Sequence, residues 1–232
     1  MTSRAEASFV RNLGDIDELL RIHADITGES PGRRRKLGPL RELTIVLLTA
    51  FWEAFCEDLA AEALRHLVAY APDAQVLPVE LRKQVAKELA VDKNNTLEVW
   101  KLAGDGWRSV LVDRLEGLQE LRNRRLNSPR TRQVNDLFRE TLGIENISDS
   151  WHWASISPER AAAKLDEYIV IRHEVAHRGS STDRIWKYDI NDYYGHVWNL
   201  VERTAAEVAR VLADATGVTP WPGEAAPGEE NS

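Results

Sequence analysis

The sequence predicts an all-α fold, a bundle of long helices with additional short helices inserted between them. Three observations lead there. Over several long stretches the apolar residues recur at three- and four-residue steps, which places them on one face of a helix. The stretch from Leu40 to Tyr70 is apolar nearly all round at its centre, as a helix covered on several sides would be. No alternating apolar and polar run is long enough to anchor a sheet, and there is no internal repeat or glycine-rich phosphate loop. With 232 residues, 43% hydrophobic and 29% charged, the chain has the composition of a globular protein and is long enough to bury a core unaided. A single domain over residues 1–215 is expected, and Thr216 to Ser232, rich in Pro, Gly and Glu, is expected to be a disordered tail.

From Ala5 to about Thr27, Phe9, Val10, Leu13, Ile16, Leu19, Leu20 and Ile22 define an amphipathic helix, broken by Gly28 to Lys36. The long helix follows from Leu40 to Tyr70, and its run Ile45 to Trp52 must be covered by the core or by a second subunit. Pro72 ends it. Shorter helices are expected at Val79 to Ala90, Trp107 to Asn123 and Thr131 to Leu142, separated by Asn94-Asn95, Gly104-Asp105-Gly106 and Asn127-Ser128-Pro129. Ser157-Pro158-Glu159 is a helix start: a serine that can cap free amides, a proline suited to the first position, and an acid at the positive end of the dipole. Gly179 is the matching stop. A last helix, about Ile190 to Ala215, carries Val197, Leu200, Val201, Ala205, Val208, Val211 and Leu212 on one face.

The formal net charge of -7 gives no general attraction to nucleic acid, so such binding has to rest on local patches. Arg33-Arg34-Arg35-Lys36 and the cluster Arg122, Arg124, Arg125, Arg130 and Arg132 are the two on offer, and each reads first as a solvated loop or helix end. The single cysteine, Cys56, lies in an apolar run and is expected to be a small buried hydrophobe; it excludes a disulfide framework and cysteine zinc sites. Met1 to Asn12 lacks the apolar core of a signal peptide, and the run Ile45 to Phe55, interrupted by Glu53, is too short to span a bilayer. A cytoplasmic protein with no membrane partner is the simplest expectation.

Chemistry concentrates in Arg172-His173-Glu174-Val175-Ala176-His177. The helix that holds it should bury a stripe through Ala161, Leu165, Tyr168, Ile169, Val175 and Ala176, and Arg172, seven residues after Leu165, falls in the middle of that stripe. Tyr168, Ile169, Val175 and Ala176 are its neighbours three and four away, so no carboxylate on the same helix neutralises it. A buried guanidinium needs a partner from another element, another subunit or a phosphate-bearing ligand. His177 sits in the last turn, where the negative end of the dipole and Glu174 favour the imidazolium. A cation beside a histidine can cleave RNA, because the substrate's own 2′-hydroxyl attacks the phosphate and the protein need only move protons and stabilise charge. No cofactor or metal is required. An Arg and a His five apart also arise by chance, so the bare spacing supports function only weakly.

The apolar helix with Leu43-Thr44-Ile45-Val46-Leu47-Leu48-Thr49-Ala50-Phe51-Trp52-Glu53-Ala54-Phe55, the segment with Leu142-Gly143-Ile144 and Trp151-His152-Trp153, and Arg172 to His177 followed by Gly179 together resemble the HEPN superfamily, and within it the RiboL-PSP-HEPN group. The likeness covers roughly Ala5 to Ala215, with sharp motifs at Trp52-Glu53 and Arg172 to His177. It implies a HEPN-like helical bundle in which two subunits of a homodimer bring their R-x4-H motifs into a shared cleft and cut RNA without metal. Arg172 and His177 become the catalytic pair, with His173, Glu174 and Glu53 in support. It also suggests a setting in phage defence or a toxin-antitoxin pair, with an antitoxin or other defence protein as partner. The residue after the arginine is often Asn in this superfamily and is His173 here, and some HEPN proteins bind nucleotides or partners without cutting RNA. Glu53 reads either as an exposed helix position or, given its apolar neighbours, as a polar group inside the bundle facing Arg172. His152 and His196 read as ordinary histidines.

The same hexapeptide also reads as H-E-x-x-H. His173 and His177 at i and i+4 could bind zinc, with Glu174 as the base of a metalloprotease and His196, Glu202 or Asp183 as third ligand. The extended protease pattern puts glycine three residues after the second histidine, where Ser180 stands, and it uses an edge strand that this chain does not offer. A non-catalytic helical interaction module is the third alternative.

Overall fold

A computed structural model describes residues 2–27, 38–90, 96–114, 129–178 and 185–221. Seven helices appear among them: α1 (Arg4–Thr27), α2 (Gly38–Tyr70), α3 (Val79–Ala90), α4 (residues 106–114), α5 (Thr131–Leu142), α6 (Pro158–Arg178) and α7 (Lys187–Thr216). Two 3-10 helices, Thr96–Leu102 and Ile147–Ser150, join them. The described residues contain no strand, only an isolated bridge between Trp153 and Ile156. The all-α expectation holds, with the short helices between the long ones. No helix among the described residues is long and apolar enough to cross a membrane.

α2 is the axis of the bundle and packs against α1, α5, α6 and α7. Its neighbours within one subunit cover half of the run Ile45 to Trp52: Ile45, Leu48, Thr49 and Trp52 are buried, Val46, Leu47 and Phe51 are half-buried and Ala50 is exposed, while Phe55, Cys56, Leu59, Leu64 and Leu67 continue the buried line beyond it. Trp52 lies at the centre. Its ring stacks on Phe55 at 5.7 Å and meets Trp151 edge-on at 5.9 Å. Its indole N–H donates to the Pro129 carbonyl at 3.4 Å, and that of Trp151 donates to Thr204 Oγ1 of α7 at 2.9 Å. A buried indole keeps its N–H satisfied in this way while its area goes to the core.

The helix ends follow local chemistry. Ser157 Oγ accepts the Arg160 amide at 3.3 Å, which makes it the cap of α6. α7 starts at Lys187, three residues before the periodicity suggests, because the Asp189 carboxylate accepts the Trp186 amide at 2.7 Å and closes the first turn. α2 starts at Gly38 rather than Leu40, with Pro39 in the first turn, where a missing N–H costs nothing. Val10, expected on the buried face of α1, is 47% exposed, because the core-facing line runs through Phe9, Leu13 and Ile16. The break Gly28 to Lys36, Asn94-Asn95, Gly179 and the helix expected at Trp107 to Asn123 beyond residue 114 lie outside the described residues. Residues 217–221 turn back so that Pro220 is buried and Trp221 packs on the core; the tail beyond lies outside the description.

Two glycines cap helices in the left-handed region. Gly143 (φ 70°) ends α5, and a Cβ there would stand 2.8 Å from Pro78 Cβ and 2.9 Å from the Leu81 backbone N. Gly217 (φ 70°) ends α7 with nothing within 4 Å. Both positions disfavour an L side chain, by about 1–2 kcal/mol. Only Gly143 adds a clash against backbone, worth about 1–3 kcal/mol more. Gly143→Ala is therefore expected to lower Tm by several degrees more than Gly217→Ala, at about 2–4 °C per kcal/mol. Equal losses in a thermal melt would remove the close approach of α5 to α3 from the account.

Candidate active site

α6 presents three faces because each residue turns about 100°. The core face runs through Ala161, Leu165, Tyr168 and Ile169, all buried. The stripe does not continue as the periodicity suggests: Val175 is half-buried and Ala176 is exposed. Beyond Ile169 no apolar residue of α6 is buried, so the last two turns stand at the rim of the core. Arg172, His173 and Glu174 are half-buried there and His177 is exposed. A site meant to receive a polymer needs this kind of access.

Arg172 extends the core face to the meeting point of α2, α6 and α7. Its charge acts on Glu53 of α2 and on Tyr193 of α7. Tyr193 is fully buried, hydrogen-bonded to Thr49 at 2.8 Å and stacked on Tyr168 at 4.0 Å. Burial pushes the Tyr193 phenol up, with Thr49 and Arg172 working against it, so the ring stays neutral. Arg172 therefore has groups around it from two other helices. Glu53 is half-buried rather than exposed. Its carboxyl is pushed up to about 7, mainly by burial and then by Glu57 one turn on, with Arg172 pulling it back.

His173 and His177 share a second face of α6, and their rings lie parallel, 5.5 Å between centroids and 8° between planes. His173 is held below its ordinary value by burial first, then by the charges of Arg172, His177 and Arg130. Asp166 is on the same face, seven residues earlier. It accepts the Thr131 amide at 2.9 Å and so ties the start of α5 to α6. Glu174 points round the helix into a cleft between α6 and the start of α7, beside Ile171, Ile185 and Trp186.

Of the residues considered for metal, His196 is 3% exposed. Its Nε2 stands 3.0 Å from the Ala161 carbonyl, and burial pushes it down to about 4. Ala161 precedes His173 by twelve residues, about 18 Å along the helix. Glu202 lines a separate groove with Arg203 and Trp221, and Asp183 and Ser180 lie outside the described residues. Among the described residues no group of three or more His, Cys, Asp or Glu side chains is placed to hold a metal ion. His152 is exposed. Arg33 to Lys36 and Arg122, Arg124 and Arg125 lie outside the described residues. Arg132 is exposed and pairs with Asp136 at 3.8 Å, a solvated helix end. Arg130 is different: it is half-buried and its charge reaches His173. Sequence reasoning took it as one arginine among several. Its position follows from contacts of its chain neighbours with distant residues, Pro129 with Trp52 and Thr131 with Asp166.

A family model described as RiboL-PSP-HEPN matches residues 11–209. The chain belongs to that family, and the match supports a nuclease or RNA-related role of HEPN type. No curated protein and no solved structure matches it.

The raised Glu53 pKa has a consequence for stability. The folded state holds the proton above pH 4.5, where the unfolded chain releases it, so this contribution is full below pH 4.5 and is lost as pH rises through about 7. At pH 8 the ionised carboxylate burdens the fold. Glu53→Gln is expected to raise Tm by about 2–4 °C at pH 8, for about 1 kcal/mol after solvent screening, and to change it little at pH 4.5. A Tm that falls at pH 8, or shifts equally at both pH values, would contradict the described environment of Glu53.

Proposed function

We propose that this protein is a metal-independent endoribonuclease of HEPN type that cleaves RNA by attack of the 2′-hydroxyl on the adjacent phosphate, with Arg172 and His177 as the catalytic pair. The observation that carries this is the position of the R-x4-H motif at the rim of the core, where Arg172 is backed by α2 and α7 while His177 faces solvent.

In the reaction the 2′-oxygen loses its proton and bonds to phosphorus, and the bond to the 5′-oxygen breaks as that oxygen takes up a proton. The products are a 2′,3′-cyclic phosphate and a 5′-hydroxyl. His177 exchanges protons with the reacting oxygens, and Arg172 stabilises negative charge on the phosphorane. His173, whose imidazolium is disfavoured first by burial and then by neighbouring charges such as Arg172, hydrogen-bonds to the phosphate in place of the Asn often found there. Glu53 supports Arg172 from α2, and Glu174 borders the adjoining cleft.

The exposed end of α6 favours a homodimer in which the two motifs share one cleft. Val170, Trp186 and Tyr188 beside it are 45%, 43% and 67% exposed and add apolar surface that a second subunit could cover. A partner protein that restrains the nuclease, such as an antitoxin, and a setting in phage defence complete the proposal on the strength of the family alone.

The protein is expected to cleave RNA in the presence of a chelator and to leave cyclic-phosphate ends. Arg172→Ala and His177→Ala should each lower the rate at least about a hundredfold, the usual scale for losing an acid-base or charge-stabilising group. Sedimentation should give twice the chain mass. Unchanged cleavage in both variants would overturn the assignment, and a strictly monomeric active protein would overturn the shared cleft.

A further inference from the structure

Arg130 belongs to none of the roles above. Its backbone is pinned on both sides: the carbonyl of Pro129 accepts the indole N–H of Trp52 in α2, and the amide of Thr131 donates to Asp166 in α6. Thr131 Oγ1 adds a bond to the Ala162 carbonyl at 3.2 Å. These contacts lock the start of α5 onto the face of α6 that also carries His173 and His177, seven and eleven residues beyond Asp166. Along that face the two histidines lie about 10 and 16 Å from Asp166, so His173 is the nearer of the two to the start of α5.

Arg130 stands at the N-cap of α5, where a guanidinium, having no acceptor, cannot cap the free amides. Among the described residues its guanidinium has no carboxylate partner, in contrast to Arg132, Arg139 and Arg210. It is half-buried, and its charge is felt at the His173 ring. In a chain of net charge -7, a half-buried cation fixed at its backbone and close enough for its charge to act on His173 is not general surface basicity.

We infer that Arg130 is a substrate-positioning residue that grips a backbone phosphate of single-stranded RNA next to the scissile one, so that the strand runs along the histidine face of α6 from α5 toward the helix end. A guanidinium forms two parallel hydrogen bonds to phosphate oxygens, which fixes direction as well as place. The inference rests on the proposed ribonuclease activity and adds the strand's path to it.

The test uses the full-length protein and a short single-stranded RNA in chelator. Binding is measured against salt in the His177→Ala background, and cleavage in the active background. Arg130→Ala is expected to weaken binding about tenfold and to reduce the slope of log affinity against log salt by about 0.7, the share of one phosphate contact on a single strand. KM should rise with kcat nearly unchanged, and Arg130→Lys should restore the slope but only part of the affinity, since an ammonium supplies charge without the fork. Arg132→Ala should leave all of these unchanged. A wild-type slope and KM in Arg130→Ala, or equal losses in Arg132→Ala, would overturn the role of Arg130 while leaving ribonuclease activity standing. Salt-dependent binding that needs Arg130 without any cleavage would keep the phosphate grip and overturn the ribonuclease assignment. No RNA binding by the wild type would overturn both. Should Arg130→Ala unfold, the slope of Arg130→Gln, which keeps the stem, decides the matter.

Discussion

A helix that is apolar almost all round has to be surrounded, and in this protein α2 is. α1, α5, α6 and α7 all reach it, and they reach it at heights set by side chains that fit, with Trp52 against Phe55 and Trp151 at the centre. Everything that bears on chemistry depends on this convergence. Glu53 follows Trp52 on α2, Pro129 is held by the Trp52 indole, and Arg172 continues the face of α6 that packs on α2. A truncated Trp52 would leave one of the largest cavities this core could have, with a loss of about 3–5 kcal/mol. It would also release the anchor of α5.

The charges gathered at that convergence are unequal. The charge of Arg172 acts on Glu53, yet burial and the neighbouring Glu57 keep the Glu53 carboxyl near half-ionised at neutral pH. A fully ionised, well-formed ion pair would hold the arginine as a structural group; a half-ionised one leaves positive potential at the rim, where the charge of Arg130 adds to it. An anion arriving there, such as a phosphodiester, completes the neutralisation. The net charge of the chain is negative, so the local sign at this rim is opposite to that of the whole.

Much of the fold was legible in the sequence because helix periodicity, proline stops and the Ser157 cap are local signals. The site was legible in part. The spacing of Leu165 and Arg172 identifies the face on which the arginine stands, but not how far the neighbouring helices extend, and so Val175 and Ala176 were expected to be buried when the core ends at Ile169. Arg130 was hidden for a different reason. Its position depends on Trp52, seventy-odd residues earlier, and on Asp166, thirty-odd later, and neither contact leaves a trace in local pattern. The hexapeptide alone reads equally as a zinc motif. Two of the three candidate third ligands stand away from it, His196 fixed in the core beside Ala161 and Glu202 in a groove of its own, and Asp183 lies outside the described residues.

The central claim is that the substrate's own 2′-hydroxyl is the nucleophile and that Arg172 and His177 serve it. Once a cut site has been mapped in an RNA oligonucleotide, the nucleotide that supplies the attacking hydroxyl can be replaced by its 2′-deoxy counterpart. The modified strand is expected to bind about as tightly as the original and to remain uncut at that linkage, because phosphate contacts are kept and only the nucleophile is missing. Cleavage at the 2′-deoxy linkage at the original rate would contradict it.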